Sequence, residues 1–141
     1  MSARANQDLS VTQAPAETPV LMKALSGSTV WRAGKGGSIE RSTDAGQTYT
    51  VQVSPSREDW LAMAAVSDTI AWLAGRNGSI ARTTDGEHWE RIAPPAPAAE
   101  SNARMPDWIG ITAQDARIAT ITARGGRRFA TQDGGKTWQL Q

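Results

Sequence analysis

Three aspartates could carry chemistry by their type and setting. Asp44, Asp85 and Asp133 each follow a small hydroxyl residue by two positions and precede an aromatic by four or five. The stretches are Ser42-Thr43-Asp44-Ala45-Gly46-Gln47-Thr48-Tyr49, Thr83-Thr84-Asp85-Gly86-Glu87-His88-Trp89 and Thr131-Gln132-Asp133-Gly134-Gly135-Lys136-Thr137-Trp138. Carboxylates can hold metals or move protons, but such roles need several of them at one centre. Spacings of 41 and 48 residues place one in each of three repeats, so a structural role is favoured. A carboxylate in a tight turn accepts hydrogen bonds from nearby backbone N–H groups. The glycine permits a positive φ, and the aromatic opens the next strand, its ring covering the hairpin. The second copy is one residue shorter, which predicts a tighter or distorted turn.

Other reactive types are scarce. His88 is the single histidine, sits in the short turn and is expected to be exposed without a role of its own. Cysteine is absent, which excludes disulfides, cysteine–zinc sites, iron–sulfur clusters and thiol catalysis. No cofactor or metal is expected. Twelve of the 15 basic residues are arginine. Arg41 and Arg82 occupy equivalent positions, and Arg124, Arg127 and Arg128 cluster in one hairpin. Arginine suits flat, bidentate interface contacts, which makes these five the candidate partner-binding residues. The alternative for them is pairing with Glu40, Asp68 or Asp115, or plain solvation. The six tryptophans could line a sugar or peptide groove, yet they fall in matched pairs, Trp31/Trp72, Trp60/Trp108 and Trp89/Trp138. Matched positions point to packing between repeats. Gly125-Gly126 reads as a hairpin turn, since a phosphate loop needs a strand before it and a helix after it.

The elements that position these residues emerge from internal repetition. TVWRAGKGGSIERSTD (29–44), IAWLAGRNGSIARTTD (70–85) and IATITARGGRRFATQD (118–133) align without gaps. Trp60 and Trp108 each lie 25 residues before an aspartate and confirm the register; Pro19 holds that place before Asp44. The seven extra residues of the third repeat fall in a Pro/Ala-rich loop, 93–106, which cannot pair as a strand. Each repeat reads as four short strands: 20–25, 29–33, 38–42 and 49–54; 60–66, 69–74, 79–83 and 89–93; 108–113, 117–122, 127–131 and 138–141. Gly75-Arg76-Asn77-Gly78 carries a hairpin signal. No window has sustained helical periodicity. Repeats of ~40–45 residues with four strands are blades of a β-propeller. The expected architecture is therefore all-β, with three four-stranded blades over about 19–54, 60–93 and 108–141. Residues 1–18 form a tail or linker in which 9–14 is a candidate extra strand, because LSVTQAP resembles YTVQVSP at 49–55.

The aspartate turn resembles the Asp-box, or bacterial neuraminidase repeat. The fuller pattern W-x-A-G-x-x-G-S-I-x-R-[ST]-T-D, followed by G-x-T-[YW], is similar to the photosystem II assembly and stability factor family over about residues 19–141. Similar domains end bacterial membrane proteins that begin with an anti-sigma-type zinc finger, which this sequence lacks. The resemblance implies a non-catalytic propeller that binds or chaperones a protein partner, as a subunit of or assembly factor for a larger complex, photosynthetic or membrane-bound among the choices. It also favours an extracytoplasmic setting. A sensory or carbohydrate-binding domain of a bacterial envelope protein is the alternative reading. A sialidase-like hydrolase is the remote one, since it needs a tyrosine nucleophile and the single tyrosine, Tyr49, fills the turn's aromatic slot.

Composition bounds these readings. At 141 residues and 39% hydrophobic, the chain suits one globular domain. A net charge of +1 gives no reason to expect nucleic acid. No apolar run approaches the ~20 residues of a membrane helix, so direct membrane insertion is not expected. The first residues lack the apolar core of a secretory signal, although a signal could have lain upstream. Propellers have ~4–8 blades, and three cannot easily close a ring. An open arc is expected to expose apolar end faces. Three remedies follow: two chains forming a six-bladed ring, a longer propeller, or docking on another protein.

Overall fold

The computed structural model describes residues 21–24, 28–95 and 105–141. The tail, the candidate strand at 9–14 and the middle of the Pro/Ala-rich loop lie outside the described residues. Twelve strands form three four-stranded sheets, each a meander in chain order. The first holds β1 (Leu21–Ala24), β2 (Val30–Ala33), β3 (Ile39–Ser42) and β4 (Thr50–Val51). The second holds β5 (Trp60–Ala65), β6 (Ala71–Gly75), β7 (Ile80–Thr83) and β8 (Trp89–Arg91). The third holds β9 (Trp108–Ala113), β10 (Ala119–Ala123), β11 (Arg128–Thr131) and β12 (Gln139–Leu140). All pairings are antiparallel, and equivalent residues pair equivalently: Trp31 faces Arg41 across β2–β3, and Trp72 faces Arg82 across β6–β7.

Every expected strand is present, but the outer ones are shorter. β4 spans two residues where 49–54 was expected, because after Gln52, whose N–H still reaches Ile39 O at 2.9 Å, the chain turns at Ser54-Pro55. Proline has no N–H to extend a ladder. Arg76–Gly78 is a single 3-10 turn after β6, with Asn77 at φ 55°. It is closed by Gly75 N–H on Ser79 O at 2.9 Å.

Strand alternation divides the core in two. Ala71 and Leu73 of β6 join Trp31, Ala33, Ile39, Trp60, Met63 and Ala81 between the first and second sheets. Trp72 and Ala74 of the same strand join Ile80, Ile92, Trp108, Ile111, Ile121 and their neighbours between the second and third. β6 is therefore buried along its whole length. The inner strands lie side by side, β1 against β5 and β5 against β9. Small side chains such as Ala62, Ala64 and Ala65 suit that close approach. The tryptophans weld the sheets: Trp89 meets Trp31 edge-on at 5.5 Å, and Trp138 meets Trp72 at 6.5 Å. The aromatic after the second and third aspartate turns thus packs on the preceding sheet, and the Trp138 ring also lies over Gly135 of its own turn. Tyr49, with no described sheet before it, instead takes the Arg32 guanidinium 3.5 Å over its ring.

Candidate functional site

The aspartate turns are built alike in the first and third sheets. Asp44 Oδ1 accepts from Ser42 Oγ at 2.7 Å and from Thr48 N–H at 2.8 Å, while Oδ2 accepts from Thr48 Oγ1 at 2.5 Å. Asp133 repeats the set with Thr131 Oγ1 at 2.8 Å, Thr137 N–H at 2.9 Å and Thr137 Oγ1 at 2.6 Å. The hydroxyl of Ser42 or Thr131 in turn accepts from Gly46 or Gly135 N–H. Those glycines sit at φ 89° and 90°, a region in which a Cβ is strained. Both oxygens of each carboxylate are engaged within its own turn, and the turns belong to separate sheets. Among the described residues no three acidic or histidine side chains gather where a metal could sit.

The short second turn is closed by a different donor. Asp85 Oδ1 accepts from Glu87 and His88 N–H, both at 2.8 Å, and Oδ2 meets His88 Nδ1 at 2.8 Å. A carboxylate only accepts, so Nδ1 carries the proton. The imidazole stands where the other turns use a threonine hydroxyl. Sequence reading gave His88 no role; its position three after an aspartate, in the slot before the aromatic, was the signal. The Asp85 hydrogen bond and charge raise the His88 pKa above its ordinary 6.5. That contribution is complete below 6.5 and disappears as pH rises through the folded-state value. NMR titration of His88 is expected to give a midpoint above 6.5, falling back in Asp85→Asn; an unshifted wild-type midpoint would remove the staple.

The carboxylates move the other way. Hydrogen bonds from the Thr48 hydroxyl, Thr48 N–H and Ser42 hydroxyl lower Asp44 to about 2. The Thr137 hydroxyl and N–H and the Thr131 hydroxyl hold Asp133 below the usual carboxylate range, and His88 N–H and ring with Glu87 N–H do so for Asp85. Their stabilisation is complete above the ordinary value of 3.8 and is lost as pH falls through the folded values. Asp133→Ala is therefore expected to lower the denaturation midpoint at pH 7 clearly, and Glu87→Ala to leave it near wild type. Equal, negligible losses in urea melts would contradict the structural role.

The five arginines separate into two groups. Arg41 Nη2 donates to Asp68 O in the second sheet at 2.7 Å, with its guanidinium 5.2 Å from the Trp31 ring centre. Arg82 Nη1 donates to Ala116 O at 2.7 Å and Gly134 O at 3.2 Å in the third sheet, lies 5.4 Å from the Trp72 ring centre and pairs with Glu90. These two are committed to holding neighbouring sheets together, through backbone carbonyls rather than the carboxylates considered from sequence. Arg124, Arg127 and Arg128 are exposed on the β10–β11 hairpin. Arg124 Nε lies 3.6 Å from Asp107, which also holds Arg76 at 3.3 Å. Arg127 and Arg128 have no ion-pair partner among the described residues.

The arrangement is similar to solved structures. A YCF48 bound to D1 peptide matches with a TM-score of 0.74 at 23% identity, over 87% of this chain and 39% of that one. YCF48 from Cyanidioschyzon merolae matches with 0.72 at 21%, over 91% and 38%. An ancestral GH74 enzyme matches with 0.63 at 14%, over 87% and 18%. The fold is a partial β-propeller. This chain spans about two-fifths of the length of the YCF48 chains it matches. No protein-family model and no curated protein matches the sequence.

Between the first two propeller blades lies a cleft of about 850 Å³, lined by Arg41, Thr50, Gln52, Val53, His88 and Trp89 among others. Gln52 is the residue that sequence reasoning missed. Its Nε2 donates to Gly86 O at 2.8 Å, and its Oε1 accepts from Trp89 Nε1 at 2.7 Å. It fixes the outer edge of the first blade to the aspartate turn of the second. The repeat offers little signal for this, because Ile92 fills the equivalent place in the second blade and packs into the core.

Proposed function

We propose that the chain is a non-catalytic, protein-binding Asp-box propeller module, of the kind used in assembly of larger complexes. The observation that carries this reading is the contrast between arginines clamped between blades and arginines exposed on a hairpin. Arg41 and Arg82 are occupied between blades, whereas Arg124, Arg127 and Arg128 project from one rigid hairpin. Guanidinium groups held on a rigid strand pair suit a partner's carboxylates, by bidentate contact. The YCF48 fold seen with a D1 peptide supports the same kind of use.

The side chains weighed for catalysis from sequence make local contacts. The three turn carboxylates are saturated by local donors, and the ring of Tyr49 is covered by Arg32. A carbohydrate-binding role would call for free aromatic faces. Trp31, Trp60, Trp72 and Trp108 are buried, and Trp89 and Trp138 pack edge-on between blades. The test is a pull-down with quantitative binding to the partner so recovered. Arg124→Ala/Arg127→Ala/Arg128→Ala is expected to reduce affinity at least ~100-fold with an unchanged melt. Full binding by that folded triple variant would overturn the proposal.

A further inference from the structure

Repeat-equivalent positions provide an internal comparison for the two ends of the arc. Toward the second blade, the first presents Trp31, Ala33, Ile39 and Arg41; toward the third, the second presents Trp72, Ala74, Ile80 and Arg82. The third blade's counterparts are Thr120, Thr122, Arg128 and Ala130. The tryptophan and the arginine that clamp each following blade are both missing there. A charge also stands where an isoleucine packs in the other two.

The receiving faces differ in the same sense. Leu73 and Ala81 of the second blade, and Ile121 and Phe129 of the third, pack on the blade before them. The first blade has Arg32 and Glu40 in their places, directly paired across β2–β3, with Arg32 Nη2 2.9 Å from Glu40. Arg32 also covers Tyr49, the ring whose counterparts meet the preceding tryptophan. At these positions the ends carry charged and hydroxyl side chains where the inner junctions are apolar, beside exposed Val51, which pairs opposite Glu40 on the first blade.

We propose that two copies of this arc do not close a six-bladed ring through their end faces. A two-fold ring sets the third blade of each copy on the first blade of the other. Each junction would enclose Arg128, Arg32 and Glu40, two positive charges against one negative, with neither the Trp nor the Arg of the clamp to hold it. Burying an uncompensated charge is strongly unfavourable. Polar outer faces are also how stacked-repeat proteins stay soluble at their ends. Arg128 belongs both to this end face and to the arginine hairpin, and the inference concerns contact between copies rather than what the hairpin binds.

The chain has no cysteine, so one introduced thiol reports on its surroundings. Thr122→Cys samples the third blade's end face. Ala74→Cys samples the same position one blade earlier, where the side chain is fully buried. Arg32→Cys and Leu73→Cys make the corresponding pair at the other end. Each variant of the 141-residue chain is labelled with a maleimide at several concentrations, with light scattering giving the mass alongside. Thr122→Cys and Arg32→Cys are expected to react within about twofold of exposed Lys136→Cys, and the buried partners at least about tenfold more slowly. A dimer in which both end thiols react freely upholds the proposal, since the contact then lies elsewhere. End thiols protected in a concentrated dimer and released on dilution overturn it. Should one buried control fail to fold, the other serves.

Discussion

Trp72→Ala is expected to lower the free energy of unfolding by about 3–5 kcal/mol. A domain of this size has ~5–15 kcal/mol in total, so the loss is a large share. Trp72 is fully buried at the centre of the cluster between the second and third blades. It meets Trp138 edge-on, donates from Nε1 to Asp115 O at 3.0 Å and lies beside the Arg82 guanidinium. Alanine leaves a void among residues held by two sheets that cannot collapse together, and it removes the donor to a loop carbonyl. Trp89→Ala, at a half-buried position, is expected to cost roughly half as much. Urea melts followed by far-UV circular dichroism give both values as shifts in midpoint at constant slope. If Trp72→Ala loses no more than Trp89→Ala, the buried tryptophan is not the main joint between blades. Trp72→Leu, which retains more volume, keeps the comparison available if the alanine variant is unfolded.

Much of this architecture was readable because repetition supplies its own alignment. Once Asp44, Asp85 and Asp133 were set in register, the strand order and the burial of Trp31, Trp72, Trp60 and Trp108 followed. What stayed hidden depends on contacts between repeats. Arg41 and Arg82 read as candidate partner contacts, with pairing to Glu40, Asp68 or Asp115 as the alternative, because nothing local reveals that the Asp68 and Ala116 carbonyls lie opposite them. Gln52 bridges two blades through an amide that a repeat comparison discards as variation. The polar end faces were in plain view as mismatches, Thr120 against Trp31 and Trp72, yet a mismatch acquires meaning only when it is known which side of the strand meets a neighbour. The shortness of β4 follows from the turn at Ser54-Pro55, and β12 likewise keeps only two pairings, with Phe129 and Ala130.

Gly37→Ala is expected to destabilise far more than Gly126→Ala, although the two glycines hold the same place in their repeats. Gly37 adopts φ 82° and Gly126 φ 99°, so alanine meets a backbone penalty of ~1–2 kcal/mol at either position. Their surroundings differ. A Cβ on Gly37 would fall well inside contact with the backbone oxygen of Ser56, and close to Arg57 Cα, on the segment that enters β5. That segment is tied to the same hairpin by Trp60 N–H on Gly34 O at 3.0 Å and Trp60 Nε1 on Gly37 O at 3.1 Å. Relieving the clash means moving backbone that positions the next blade, a further ~1–3 kcal/mol. Gly126 has open space where that Cβ would go. Gly78, in the middle repeat, again approaches the chain entering the following blade, at Met105. The close approach therefore appears at the two hairpins that a blade follows and not at the third. Paired melts of Gly37→Ala and Gly126→Ala measure the difference directly, and equal losses would mean that the hairpin does not seat the next blade. At the third hairpin that space is open, and Arg124, Arg127 and Arg128 are exposed around it.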